Sequence, residues 1–494
     1  MLADDVRTHA GDHPALVVPD GPVIVYSRLT ELIPEVSRRL AQFGIARGDR
    51  VAMAFPNGPE AILLFLAITR IATACPLNPA YTESEFRFYL EDTGARFLIV
   101  PPNDMPSARA ALSPNVVLIE AELGNDARLR LGSSASERHV EPDGAVSDDD
   151  VALVLRTSGT TSRPKRVPLK HRNLTASVRN IVASYQLNAD DVTVCVMPLF
   201  HVHGLLASAL STLATGGTVV VPRKFSPTGY WPIAQTVRPT WFTASPTPHQ
   251  LILMRARGNQ PAGSERLRFI RSCSSALSPA QMAEMEARLG APVLEAYGMT
   301  EASHQMSSNP LPPDERVPGS DGRATGVEIA VLDQAGRLLP PGSSGEVSIK
   351  GPNVIDGYEN NPGANADSFT NGWFRTGDQG TLDDTGYLRL LGRIKELINR
   401  GGEKIAPREI DEVLESHPSV KEAVAFGVPH PTWGEEVGAA VVVSSPVSEK
   451  DLARYCRTKL ADFKVPKTIH IVDAIPRTPT GKVQRRFVAQ QFGG

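Results

Sequence analysis

The chain has 494 residues, 41% of them hydrophobic and 21% charged, with a formal net charge of −3. That length exceeds one ordinary core, so two or more domains are expected. The balance is that of a globular protein, and so small a net charge excludes a chain that works as a whole by gripping polyanions, so no nucleic-acid partner is expected.

In chain order, residues 23–25 read as a short strand. Leu29, Leu32, Ile33, Val36, Leu40 and Phe43 then recur at helical spacing up to a capping Gly44. Residues 51–55 are strand-like, 59–74 form an apolar helix pattern, and 97–100 and 116–119 read as buried strands. Residues 121–150 are polar and read as a surface connection, not an element. Beyond a strand at 151–155 and a helix after Asn173 come the run 192–200 and an apolar stretch to Val221, and a second set follows, with strands at 240–244, 267–272 and 293–297 and a helix at 279–289. Strands alternating with helices predict a layered α/β architecture with largely parallel sheets. From Val327 the texture changes to short alternating strands between turn clusters, which predicts a small antiparallel subdomain, and a last αβ unit begins beyond Arg393.

The four cysteines, Cys75, Cys195, Cys273 and Cys456, are far apart, which argues against a zinc site or disulfide framework and fits a reducing, cytoplasmic setting. The opening residues, Met1 to Asp5, are acidic, so no secretory leader is expected. The terminal Phe492-Gly493-Gly494 is not a peroxisomal address. Apolar runs such as residues 61–68 are too short to span a bilayer, so no integral membrane segment is expected.

The most informative stretch packs small hydroxyls and a glycine, Thr157-Ser158-Gly159-Thr160-Thr161, into one turn and ends in Pro164-Lys165. Close-approaching donors and a cation are what a polyphosphate requires. A Walker loop needs a second glycine before its lysine and Ser or Thr after it; here Pro164 precedes Lys165 and Arg166 follows, which excludes that reading.

Four further motifs follow in order. They are Glu295-Ala296-Tyr297-Gly298-Met299-Thr300-Glu301, Gly372-Trp373-Phe374-Arg375-Thr376-Gly377-Asp378, Gly392-Arg393-Ile394-Lys395-Glu396 with Gly401-Gly402, and Pro479-Thr480-Gly481-Lys482. Together the five motifs resemble the acyl-adenylate-forming superfamily of acyl-CoA synthetases, luciferases and peptide-synthetase adenylation domains. The resemblance covers nearly the whole chain. It implies that a carboxylate attacks the α-phosphate of ATP, with Mg²⁺ on the phosphates, and that the thiol of CoA then displaces AMP. It also implies a large N-terminal domain, residues 1–393, of layered α/β subdomains plus the small antiparallel one. A small mobile α+β C-terminal domain, residues 394–494, would hinge near Lys395.

By that resemblance the nucleotide site comprises Thr157, Ser158, Gly159, Thr160, Thr161, Lys165, Ser275, Ala276, Glu295, Ala296, Tyr297, Asp378 and Arg393. Thr300 would donate to the α-phosphate and Glu301 would hold Mg²⁺, a hard ion that takes oxygen ligands. Tyr297 offers a flat face for adenine, and Asp378, in a glycine-flanked turn, a bidentate acceptor for the ribose hydroxyls. Lys482 would stabilise charge developing in the first step. Lys395, Gly401, Gly402 and Trp433 would serve the hinge and the CoA path.

Acid choice is implied to rest on the surroundings of His201, His203, Ser274 and His304. Amino-acid-activating relatives carry an Asp in place of His201, so an amino acid or a carrier-protein role is disfavoured. If Glu301 and His304 lie on one helix, their spacing puts them on one face. Histidines and serines suit a small polar acid, since a buried second carboxylate requires donors or cations. The strings around His201, Arg271 and Thr300, with Ser162 in the loop, look like the oxalyl-CoA synthetases of plants and fungi. Oxalate is therefore the expected acid; a fatty or aromatic acid and an inactive nucleotide-binding homologue are the alternatives. Arg156 and Arg166 depart from the pattern, and sequence leaves open whether Arg166 contacts phosphate or crowds the loop.

Overall fold

Short β-branched and aromatic runs bounded by turn residues become strands buried on both faces, as at Phe97–Val100, where every residue is buried. A computed structural model of the chain describes residues 11–133, 146–157, 164–477 and 483–493. Seven strands form one sheet in the order Leu129–Ser133, Val117–Leu123, Phe97–Val100, Arg50–Met53, Thr73–Pro76, Val151–Thr157 and Lys165–Lys170. The inner pairs are parallel and the two outermost pairs antiparallel. A nine-stranded sheet is centred on parallel strands Val192–Val194, Trp241–Ala244, Phe269–Ser272 and Val293–Met299, with His304–Ser308 antiparallel beyond the last. The helix Pro59–Ile68 is buried at all ten positions and shares one apolar cluster with Leu205 and Leu206, so the two sheets enclose a common core.

The antiparallel subdomain is as expected: Glu328–Leu332, Ser344–Lys350, Phe369–Thr370, Trp373–Leu382 and Leu388–Arg393 form one sheet. The last unit builds its own sheet from Ile398–Arg400, Glu403–Ile405, Val420–His430, Gly434–Val443 and Thr468–Ile471, with a separate core around Ile410, Val437 and Leu452. Arg408 of this unit reaches Asp321 at 3.6 Å, and Arg389 reaches Glu412 at 3.3 Å, across the junction.

Two sequence expectations are corrected. The helix at 59–74 ends at Ile68, and Thr73–Pro76 is a strand paired with Arg50–Met53; a continuous apolar run does not separate helix from buried strand. The supposed connection at 121–150 continues one strand to Leu123 and contains another, Leu129–Ser133, whose Leu129 and Leu131 alternate with arginines at the sheet edge. Within the run 192–200, Val192–Val194 forms a strand.

Candidate active site

The hydroxyl-rich loop joins two antiparallel strands, Val151–Thr157 and Lys165–Lys170, with Thr157 opposite Lys165, so a strand intervenes before the helix His171–Tyr185. Ser158, Gly159, Thr160, Thr161 and Ser162, and Lys482 near the other end of the chain, lie outside the described residues. The Lys165 ammonium sits 4.3 Å from the centre of the Tyr358 ring. Burial lowers its pKa, Glu301 opposes that, and Lys395 adds to it.

Side chains alternate across a strand, which sends Arg166 to the face opposite Lys165. There its Nη1 donates to the Asp92 carbonyl at 2.8 Å and lies 3.8 Å from Glu359. Arg156, directly opposite in register, pairs with the Asp92 carboxylate and lies over Phe88 and Tyr89. Asp92 belongs to the helix Glu83–Thr93, held at its start by a Thr82–Glu85 capping box. Arg50 completes the group by pairing with Glu359. Both arginines therefore brace the hairpin base from behind.

Thr300–Ala302 forms a 3₁₀ turn directly after the strand Val293–Met299. Glu301 is buried, accepts the Tyr358 hydroxyl at 2.8 Å and has its pKa raised by burial. Tyr358, next to the clamped Glu359, is a site residue that sequence reasoning missed.

Asp378 lies within the strand Trp373–Leu382 and not in a turn, a correction to the sequence reading, and is paired in register with Arg393. The Tyr297 hydroxyl donates to its carboxylate, and Arg393 Nε lies 3.5 Å away. Glu295 is buried one strand position before Ala296, accepts the Gly319 N–H at 3.0 Å, and is pushed up to about 7 by burial and then by the Asp321 charge. Ser275 and Ala276 are exposed on the turn after Phe269–Ser272.

The helical spacing expected between Glu301 and His304 fails. Ser303 takes a left-handed conformation, φ 51°, and His304 opens a strand. Gly298, paired with the next residue Gln305, has its backbone so close that a Cβ would stand 2.2 Å from the His304 carbonyl oxygen, so only glycine fits. The structure still brings the histidines together: the rings of His203 and His304 stack with centroids 4.9 Å apart. His203 opens a π-helical segment, His203–Leu210, a form frequent at functional sites. Its Nδ1 is 3.0 Å from Ser274 Oγ, and His201 Nδ1 accepts the His203 backbone N–H at 3.3 Å. Behind them lies Arg271, fully buried. Sequence assigns Arg271 no role, because its partner Thr243 stands opposite it on another strand.

Lys395 lies in the 3₁₀ turn Ile394–Glu396, between the two units. Gly401, at φ 60°, donates its N–H to the Trp433 carbonyl at 2.8 Å, and a Cβ there would meet the indole at 2.9 Å. Gly402 follows at φ 94°. Trp433 is 45% exposed with the Arg400 guanidinium 5.1 Å from its ring, leaving an amphipathic surface on the small sheet.

The sequence profile of AMP-binding enzymes matches residues 2–359, and that of the AMP-binding enzyme C-terminal domain matches residues 409–482. The chain belongs to the AMP-binding enzyme family. An oxalate–CoA ligase of Arabidopsis thaliana is 48% identical, covering 99% of this chain and 98% of that protein. An oxalate–CoA ligase of Saccharomyces cerevisiae is 42% identical, covering 97% and 95%. ATP-bound MatB from Rhodopseudomonas palustris superposes with a TM-score of 0.90 at 32% identity, covering 100% of this chain and 98% of MatB; for apo MatB the TM-score is 0.80. The AMP-binding enzyme described here is an ATP-dependent acid–CoA ligase that proceeds through an acyl-adenylate. None of its described helices is long and apolar enough to cross a membrane.

Proposed function

We propose that this ligase activates oxalate, and that its two domains meet near Lys395. The observation that carries the acid is the polar, histidine-rich cluster of His203, His304 and Ser274 backed by the buried Arg271, with His201 beside it. A fatty chain would be placed against aliphatic walls; a second carboxylate requires donors and a nearby cation, or its burial is prohibitive. The two oxalate–CoA ligases among the relatives support the same acid.

In the first step the α-phosphate of ATP is brought against the substrate carboxylate. Lys165 and the hydroxyl loop grip the pyrophosphate end, Thr300 donates to the α-phosphate, and Lys482 offsets charge in the transition state. Asp378 accepts the ribose hydroxyls, oriented by Tyr297 and Arg393; the Tyr297 ring borders the adenine. Ser275, Ala276, Glu295 and Ala296 form the surrounding wall.

Glu301 fits Mg²⁺: it is a hard oxygen donor, buried and held by Tyr358, and it would hold the ion together with oxygens of the bound phosphates. When bound, the ion offsets phosphate charge. In the second step the CoA thiol displaces AMP along the Gly401, Gly402 and Trp433 surface, after the small domain turns about Lys395. The greater likeness to the ATP-bound form of MatB supports reading the present arrangement as the one that forms adenylate.

The test is AMP formation with ATP, CoA and a panel of oxalate, malonate, acetate, coumarate and octanoate. Oxalate is expected to give the highest kcat/KM. Turnover of octanoate without turnover of oxalate overturns the proposal.

A further inference from the structure

Among the described residues, no carboxylate pairs with Arg271. Its Nε donates to the Tyr185 hydroxyl at 2.8 Å and to Gln305 Oε1 at 3.2 Å, and its Nη2 to Gln305 Oε1 at 3.0 Å. Its Nη1 donates to Thr243 Oγ1 at 3.0 Å and lies 3.5 Å from His203 Nε2. Arg271, Thr243, Tyr185, Gln305 and His203 are all fully buried. Burial opposes its charge, and the titratable groups beside it are Tyr185 and Cys273, not a carboxylate.

The direction of each hydrogen bond follows from what the groups can do. A guanidinium only donates, so Thr243 Oγ1 accepts from Arg271 and is left with its own proton to give. The partner for that proton is His203 Nε2, 2.7 Å away. Nε2 thus faces hydrogens from both Thr243 and Arg271 and is an acceptor. A cation at 3.5 Å and full burial both oppose a charged imidazole, so His203 is neutral with its proton on Nδ1. Nδ1–H then donates to Ser274 Oγ at 3.0 Å. Ser274 alone in this line is only half-buried, held at φ 77°, and having accepted from His203 it turns its proton outward.

We propose that Arg271 is a positioning residue which, through Thr243, fixes His203 as its Nδ1–H tautomer and so makes Ser274 a hydrogen-bond donor to the second carboxylate of the acid. This rests on the dicarboxylate reading above. The line converts a cation too deep to touch substrate into an oriented neutral donor at the cleft. The Arg271 charge, lacking a carboxylate of its own, also favours an anion at that end.

The experiment uses the full chain carrying ¹⁵N-labelled histidine, with the His203 signals assigned by comparison with His203→Gln. Wild-type His203 should show its proton on Nδ1. Thr243→Val, which keeps shape and removes the hydroxyl, should lose that single tautomer. Its kcat/KM for oxalate should fall by about tenfold to a hundredfold, the loss expected of a donor to a charged group. Acetate adenylation and the KM for ATP should change less than about twofold. Ser274→Ala, at a half-buried site, should give the same selective loss while leaving the His203 tautomer as it is. A protonated Nε2 or a charged ring in the wild type overturns the proposal, as does an equal loss for oxalate and acetate in both variants. The tautomer is read without any substrate, so an enzyme that activates a different acid leaves the relay tested, and a wrong tautomer leaves the acid untouched.

Discussion

Replacing Tyr358 by Phe removes one oxygen from behind the residue assigned to the magnesium. The ring remains, with the Lys165 ammonium above it and its edge packed on Phe374. What is lost is the 2.8 Å bond to Glu301, between two side chains that are both buried. A hydrogen bond to a charged group contributes about 1.5–3 kcal/mol, and its loss here falls on the ionised form of Glu301. The Glu301 pKa should therefore rise further above a value that burial has already raised.

The sign follows: the donor favours the carboxylate, so its removal favours the acid. The acidic limb of the pH profile for pyrophosphate release should move to higher pH. The defect should reach about tenfold to a hundredfold on that limb and shrink as pH rises. Raising magnesium should recover part of the loss on the acidic side. A uniform loss at all pH values with an unmoved limb, or no change in magnesium dependence, would refute the reasoning and reduce Tyr358 to a packing residue.

Other consequences are open to measurement. Lys482→Ala should abolish adenylate formation and leave thioester formation from supplied acyl-adenylate largely intact; equal loss of both steps contradicts its role. Arg166→Leu should lower stability in chemical denaturation by about 1–2 kcal/mol, since it removes a half-buried bond and ion pair, and raise the KM for ATP only a few-fold. A hundredfold fall in kcat/KM without loss of stability would instead mean direct phosphate contact. Glu295→Gln should flatten the pH dependence of stability. With its folded pKa pushed up to about 7 from 4.5, Glu295 keeps its proton longer when folded, so its contribution is full below pH 4.5 and lost as pH rises through 7, a swing of about 3 kcal/mol. Arg408, Asp321 and the Gly319 N–H face the same carboxyl and remain in the variant, so parallel wild-type and variant curves would count against that pKa.

Sequence disclosed the parts of this fold whose periodicity is local. The helix Pro279–Leu289 was legible to the residue because Ser278, Pro279 and Gly290 punctuate it. The strand Thr73–Pro76 was not, because its parallel partner lies far off in sequence and nothing local separates it from the helix before it. The same division runs through the site. Thr300 and Glu301 stand at a strand end as read, and His304 stacks on His203, but the helical spacing expected between Glu301 and His304 is defeated by the left-handed Ser303. Arg156 and Arg166 were visible as departures; their job depended on Asp92 and Glu359, which no spacing rule brings to them. Tyr358 and Arg271 act only through neighbours on other elements, so no single motif announces them.

Those last residues share an arrangement. Arg50 and Arg166 hold Glu359 from one side, and the neighbouring Tyr358 turns its hydroxyl to Glu301. Arg271 holds Thr243, and Thr243 sets His203, which in turn sets Ser274. In each case an arginine stands one or two residues back from the group assigned to ligand, with a neutral hydroxyl between them. A guanidinium in direct contact would bind an anion tightly in ground state and product alike, which slows release without lowering the barrier. A hydroxyl or imidazole whose direction a distant cation fixes gives orientation with less ground-state attraction. For a small dianion that must enter, react at one end and leave as a thioester with one free carboxylate on its acyl group, that separation lets one end be recognised while the other stays free to react.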